Sequence, residues 1–168
     1  MRLTHFTDYA LRVLMYLGSR ARADRLSTIG DIATAYGISE NHLMKVVHHL
    51  ARHGYIETTR GKGGGMKLAR APEMINIGEV VRGTEDDFAL VECFGPNNGD
   101  CRCPIVKTCA LSGTLAHALD TFFRVLDAQT LADAIKPRGG LGGSVPKSSN
   151  PRDERAREQI EGTESEGR

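Results

Sequence analysis

Tryptophan is absent from this chain, and no apolar run approaches the roughly 20 residues that a bilayer-crossing helix needs. The first residues, M-R-L-T-H-F-T-D, carry charge and lack a continuous apolar stretch, so they do not read as a secretory leader. Apolar residues make up 40% of the sequence, enough for one small core and little more. Neither sign of charge dominates: the formal net charge is +1, which by itself announces no nucleic acid. Also missing are a Ser/His/Asp arrangement, a paired set of acid/base carboxylates and a nucleotide-binding fingerprint, which argues against an enzyme. The expectation is a cytoplasmic, non-catalytic protein of about one domain plus extensions.

Cysteine is scarce but concentrated. The four in the chain, Cys93, Cys101, Cys103 and Cys109, fall within seventeen residues, C-F-G-P-N-N-G-D-C-R-C-P-I-V-K-T-C. In a reducing cytoplasm a disulfide framework is disfavoured, and thiolates crowded into a Gly/Pro/Asn-rich loop suit a soft metal. The spacing lacks the C-x2–4-C knuckles usual for structural zinc; the close pair is C-x-C. A glycine-containing loop, with Pro104 directly after Cys103, is familiar from iron–sulfur sites. Spacing alone leaves both metals open.

Upstream, the periodicity is helical. Residues 7–18 form an amphipathic first helix, with Thr7 or Asp8 where a cap would sit and Gly18 where a helix would stop. A short helix carrying Ile29, Ile32, Ala33 and Tyr36 ends at Gly37, Ile38 plugs the angle, and Ser39 caps a second helix. There Leu43, Val46, Val47 and Leu50 make one apolar stripe, and Asn41, Lys45, His48 and Arg52 fall opposite. This is a helix–turn–helix with a polar, basic outward face. Between residues 39 and 70 six Lys/Arg stand against Glu40 and Glu57, so the segment is locally basic. Residues 55–68 then change period to a β-ribbon around a Gly61–Gly65 turn, with Arg60 and Lys62 at its tip. A ribbon directly after a helix–turn–helix reads as a wing, whose glycines let the backbone approach phosphate or minor groove.

Residues 75–82 predict a short helix packing back on this unit. Over residues 111–135 the periodicity predicts one long helix, in which Leu111, Leu115, Ala118, Phe122 and Val125 step by four, three, four and three. That 3.5-residue spacing is the seam expected when two helices pair, so a dimer is expected. The fold class is thus mainly α with a small β-wing. The domains expected are a winged helix–turn–helix (1–82), a thiol loop (83–110), a dimerisation helix (111–136) and a disordered tail (137–168), the last rich in Gly, Ser and charge.

Several stretches together, M-R-L-T-H-F-T-D-Y-A-L-R-V-L-M-Y-L, I-S-E-N-H-L-M-K-V-V-H-H-L, R-G-K-G-G-G-M-K-L-A-R, I-N-I-G-E-V-V-R and the cysteine loop, closely resemble the NsrR-type repressors. These are nitric-oxide sensors in the winged-helix superfamily that also contains the IscR and RirA regulators. The resemblance runs from residue 1 to about 135, and implies a homodimer holding an iron–sulfur cluster, [4Fe-4S] or [2Fe-2S], on three cysteines. By that pattern Cys93, Cys103 and Cys109 are the ligands, the last two separated by five residues. Cys101 is then the extra thiol, in what looks like a two-residue lengthening of the loop, and competes with Cys103 or serves as a fourth ligand. The T-D-Y motif makes Asp8 a candidate oxygen ligand, supplied across the dimer. IscR-like members carry a His three residues after the last cysteine; here that residue is Ser112.

The resemblance further implies a repressor on inverted-repeat operator DNA. In it the helix that Ser39 caps would enter the major groove, with Asn41, His42 and Lys45 nearest the bases and Arg52 toward phosphate. Arg60 and Lys62 would contact backbone or minor groove. Nitric oxide would nitrosylate the iron and release the DNA. Alternatives are an iron-responsive (RirA-like) or cluster-status (IscR-like) regulator, or one stabilised by zinc.

Overall fold

The computed structural model describes residues 2–21, 26–95 and 103–136, so Cys101 and the expected tail at 137–168 lie outside the described residues. Helix α1 (His5–Ser19) starts earlier than its apolar pattern suggests. Thr4 is the cap, its hydroxyl accepting the Thr7 N–H at 3.3 Å. Thr7 itself is fully buried, and its hydroxyl donates to Thr84 Oγ1 at 2.9 Å, so it joins two elements instead of opening one. Nor does Gly18 end the helix. It lies within α1, where a Cβ would stand 3.3 Å from Ile135 Cδ1, so its small size lets a later segment approach.

Helix α2 (Ile29–Tyr36) opens on a reciprocal cap between Thr28 and Asp31. It ends at Gly37, whose φ of 63° is a left-handed conformation that favours glycine. Ile38 is buried in the angle, and Ser39 caps α3 (Glu40–Arg52) by accepting the His42 N–H at 3.4 Å. Leu43, Val46, Val47 and Leu50 all face inward as their spacing requires. Strands β1 (Ile56–Thr59) and β2 (Gly65–Leu68) pair antiparallel, from Ile56 with Leu68 to Thr59 with Gly65. The root of this ribbon is pinned by Ser27, whose N–H donates to the Met66 carbonyl at 3.1 Å and whose carbonyl accepts the Met66 N–H at 2.7 Å.

Helix α4 (Ile77–Thr84) is capped by Asn76, two residues later than expected. Ile75 stays outside it, fully buried, and its carbonyl accepts the Leu131 N–H at 2.8 Å. The predicted single helix over 111–135 is in fact two, α5 (Ala110–Asp127) and α6 (Leu131–Ala134). Thr130 breaks it, because its side chain caps α6 in a reciprocal box with Asp133. The break turns Leu131 into the core, where it is fully buried beside Ile75 and residues of α1. One apolar cluster therefore joins Ala10, Val13, Leu14 and Leu17 of α1 with Ile32, the α3 stripe, Ile75, Val80 and Leu131. The winged unit does not close its core without the segment after α5.

Candidate nucleic-acid interface and thiol centre

The α3 stripe is buried to the hilt, so the opposite face must meet solvent. Asn41, His42, Met44, Lys45, His48 and Arg52 are all exposed. Arg60 and Lys62, between the two strands, are exposed as well. Of the six basic residues between 39 and 70, two are occupied by the protein itself. Lys67 pairs with Glu57 at 3.4 Å. Arg70 donates to the carbonyls of Gly54 (3.1 Å) and His53 (3.2 Å), stands 3.9 Å from Glu79 and lies 5.1 Å over the Tyr55 ring. That leaves Lys45, Arg52, Arg60 and Lys62 exposed and in no ion pair among the described residues.

The histidines divide. His42 packs against Tyr9 of α1 with ring centroids 6.2 Å apart. His49 is half-buried, edge-on to Phe6 at 5.3 Å and stacked on His53 at 4.1 Å. Burial and then the neighbouring His53 lower its pKa, only partly opposed by the Gly83 backbone. Two aromatic contacts thus connect the first turns of α1 to the exposed helix.

Asp8 lies in the first turn of α1, where its charge suits the helix dipole. Both its oxygens are engaged by Arg12, Nε to Oδ1 at 3.0 Å and Nη2 to Oδ2 at 2.9 Å, and the hydrogen bond to Asp8 raises the Arg12 pKa. Arg12 also lies 5.9 Å over the Tyr36 ring. The sequence pattern missed Arg12, although its i+4 spacing from Asp8 is the signal that finds it.

Cys93, Cys103 and Cys109 stand as thiols, each half-buried. Cys93 sits in a 3-10 turn (Glu92–Phe94), Cys103 opens the turn at 104–108, and Cys109 immediately precedes α5. Near Cys93, a shallow depression is lined by Phe88, Phe94, Leu119 and Phe123, with Arg82 at its edge. Three thiols are a donor set whose chemistry fits an iron–sulfur cluster. They and Asp8 are not gathered in this single chain: no group of three or more His, Cys, Asp or Glu able to hold a metal exists among the described residues.

The start of the thiol segment and the far end of α5, the helix that follows it, are each tied to the helical unit. At one end Glu85 accepts the Thr4 N–H at 2.7 Å and the Thr4 hydroxyl at 3.1 Å, beside the half-buried Thr7–Thr84 bond. At the other, Arg82 of α4 grips Asp127 of α5 through two bonds of 2.6 Å and lies 4.3 Å over Phe123. Asp127 rests against Gly78, where a Cβ would collide with Oδ1.

A helix–turn–helix with a basic wing, a buried inner stripe and a polar outer ridge defines a winged-helix transcriptional regulator. The chain belongs to the Rrf2 family, described as iron-dependent transcriptional regulators, whose sequence pattern matches residues 3–137. The HTH-type transcriptional regulator NsrR of Bacillus subtilis is 52% identical over 136 residues, covering 81% of this chain and 91% of the relative. Its namesake in Bacillus licheniformis is 51% identical over 135 residues, covering 80% and 92%. Among solved structures, IscR of T. potens superposes with a TM-score of 0.64 at 22% identity, covering 81% of this chain and 87% of that one. Oxidised CymR of Staphylococcus aureus matches with the same TM-score of 0.64 at 23% identity, covering 82% and 98%. These two establish the fold. Membership of this family makes the protein a regulator of transcription and not an enzyme. Among the described residues no helix is long and apolar enough to cross a membrane.

Proposed function

We propose that the chain is a cytoplasmic, homodimeric repressor that binds an inverted-repeat operator and responds to nitric oxide through an iron–sulfur cluster. The thiols of Cys93, Cys103 and Cys109 hold the cluster, [4Fe-4S] in this reading, with Asp8 of the partner subunit as the oxygen ligand and Cys101 as an alternative thiol. When bound, such a cluster supplies iron that takes up nitric oxide. The observation that carries the reading is the three half-buried thiols of Cys93, Cys103 and Cys109 on the segment between α4 and α5, whose start is tied to the α1 cap through Glu85 and whose following helix is held to α4 through Arg82–Asp127.

The chain's own residues then do the following. Asp8, which Arg12 holds through both oxygens, would be the residue offering oxygen to the cluster, and its pairing with Arg12 sets the charge balance in the first turn of α1. Movement of that turn reaches α3 through Tyr9 on His42 and Phe6 on His49. In α3, Ser39 fixes the helix start, Asn41, His42 and Lys45 face base edges, and Arg52 meets phosphate. Arg60 and Lys62 on the wing add backbone or minor-groove contacts. The exposed stripe of α5, including Leu111 and Val125, is the surface that pairs two copies and sets two reading helices on one site. Driving such a switch from almost fully bound to almost fully released takes about 5 kcal/mol of differential affinity.

The test is to purify the protein anaerobically, record its visible spectrum with iron and sulfide content, and titrate nitric oxide while following operator binding. A brown protein that releases operator on nitric oxide is expected. A colourless, zinc-loaded protein whose DNA binding ignores nitric oxide would overturn the sensing role. DNA binding that follows iron supply but not nitric oxide would move the protein to the iron-responsive class.

A further inference from the structure

One side chain on the outward face of α3 does not share the chemistry of its neighbours. Met44 is 50% exposed and takes no part in the apolar core, which α3 serves through Leu43, Val46, Val47 and Leu50. It is three residues after Asn41 and four before His48, so on the helix surface it is flanked by both. An apolar thioether is therefore set into a ridge of polar and cationic groups, all exposed, in the first half of the helix. That half is the part of a helix–turn–helix reading helix that contacts base edges. Lone exposed apolar residues are ordinary on protein surfaces. What distinguishes Met44 is the composition of the surface it would meet. The edges of base pairs in the major groove present donors, acceptors and a single apolar group, the 5-methyl of thymine.

We propose that Met44 is a specificity-determining residue that packs against a thymine methyl in each half-site. The proposal rests on the DNA-binding reading above. Methionine suits the task because its unbranched, polarisable chain adapts to a small apolar partner without demanding one rotamer. Asn41 and Lys45 on the same ridge are free to take hydrogen-bonding positions on neighbouring base pairs, so the methyl contact adds to their reading and does not displace it. Because Met44 contributes nothing to the core, its removal leaves the fold intact.

The experiment uses the full chain, purified anaerobically, and a duplex site selected by that protein from a randomised pool. Each thymine of the selected site is replaced in turn by uracil, which deletes the 5-methyl and nothing else. Binding is measured at one fixed salt concentration for the native protein, Met44→Ala and Met44→Glu. For the native protein, uracil at one position per half-site should weaken binding about fourfold, the effect of losing one buried methyl. Met44→Ala should bind thymine and uracil there equally, with its salt dependence and its preferences at all other positions unchanged. Met44→Glu should shift the preference at that position toward cytosine, whose amino group a carboxylate accepts. Thermal unfolding of both variants should match the native protein. The proposal is overturned if no thymine-to-uracil change affects the native protein, or if the effect persists in Met44→Ala. A protein that selects no site and binds no duplex would refute the DNA-binding reading itself, a result distinct from selective binding that ignores the methyl.

Discussion

Replacing Leu131 by alanine separates two roles for the segment after α5. Leu131 is fully buried, one of the largest such side chains in the molecule, although it lies in the stretch whose sequence period suggests helix pairing. Truncating a fully buried leucine removes its transfer free energy and leaves a cavity, together about 3 kcal/mol. For a domain of this size each kcal/mol moves the unfolding midpoint by about 3 °C, so Leu131→Ala should lower it by about 10 °C. The comparison is Leu111→Ala, a leucine 62% exposed on α5. That change should alter intrinsic stability by less than about 0.5 kcal/mol. Its effect should appear instead as a midpoint that depends more steeply on protein concentration, because association stabilises by mass action. Thermal unfolding followed by circular dichroism at two protein concentrations a hundredfold apart reads both. A Leu131→Ala shift smaller than about 3 °C, or one that vanishes at the higher concentration, would refute the core assignment and return residues after Ala128 to a subunit interface.

Three further outcomes are expected. Ser39→Ala removes the hydroxyl that accepts the His42 N–H at the start of α3, and should cost about 1 kcal/mol in thermal unfolding while weakening DNA binding. Lys62→Ala should weaken binding to all duplex sequences alike, and a plot of log affinity against log salt should become shallower by about 1 per subunit; an unchanged slope would remove the wing from the phosphate contacts. His49 has its pKa lowered by burial and by His53, so the unfolded chain binds more protons than the folded one between the two pKa values. Stability should therefore hold above about pH 6.5 and fall as pH drops below it. His49→Gln should lessen that fall in urea titrations across pH 5 to 8, and an identical pH profile in the variant would exclude His49 as its source.

Much of the reading half was legible because its signals are local. Gly37 had to take a left-handed conformation, Ser39 had to cap, and the period of Leu43, Val46, Val47 and Leu50 selected the buried face. The wing was legible for the same reason, as a glycine turn between two β-rich runs. The first helix was shifted by two residues because Thr4 and Thr7 are both plausible caps locally. Only the distant Thr84, which accepts a hydrogen bond from Thr7, decides between them. The half-burial of His49 was not legible locally, because its partners, Phe6 and the Gly83 backbone, belong to other helices.

By itself the sequence determined the elements, the basic surface and the clustering of thiols in one segment, since each depends on spacing along the chain. Only the tertiary structure decided which apolar positions are covered and by what. It put Leu131 and Ile135 against Gly18, committed Arg70 to the wing root and joined Asp8 to Arg12. It also left Met44 and, on α5, Leu111 and Val125 exposed. The physical reason is that periodicity states which face of a helix is apolar, whereas burial is a property of two surfaces. The second surface is brought from far along the chain by contacts that no local pattern encodes.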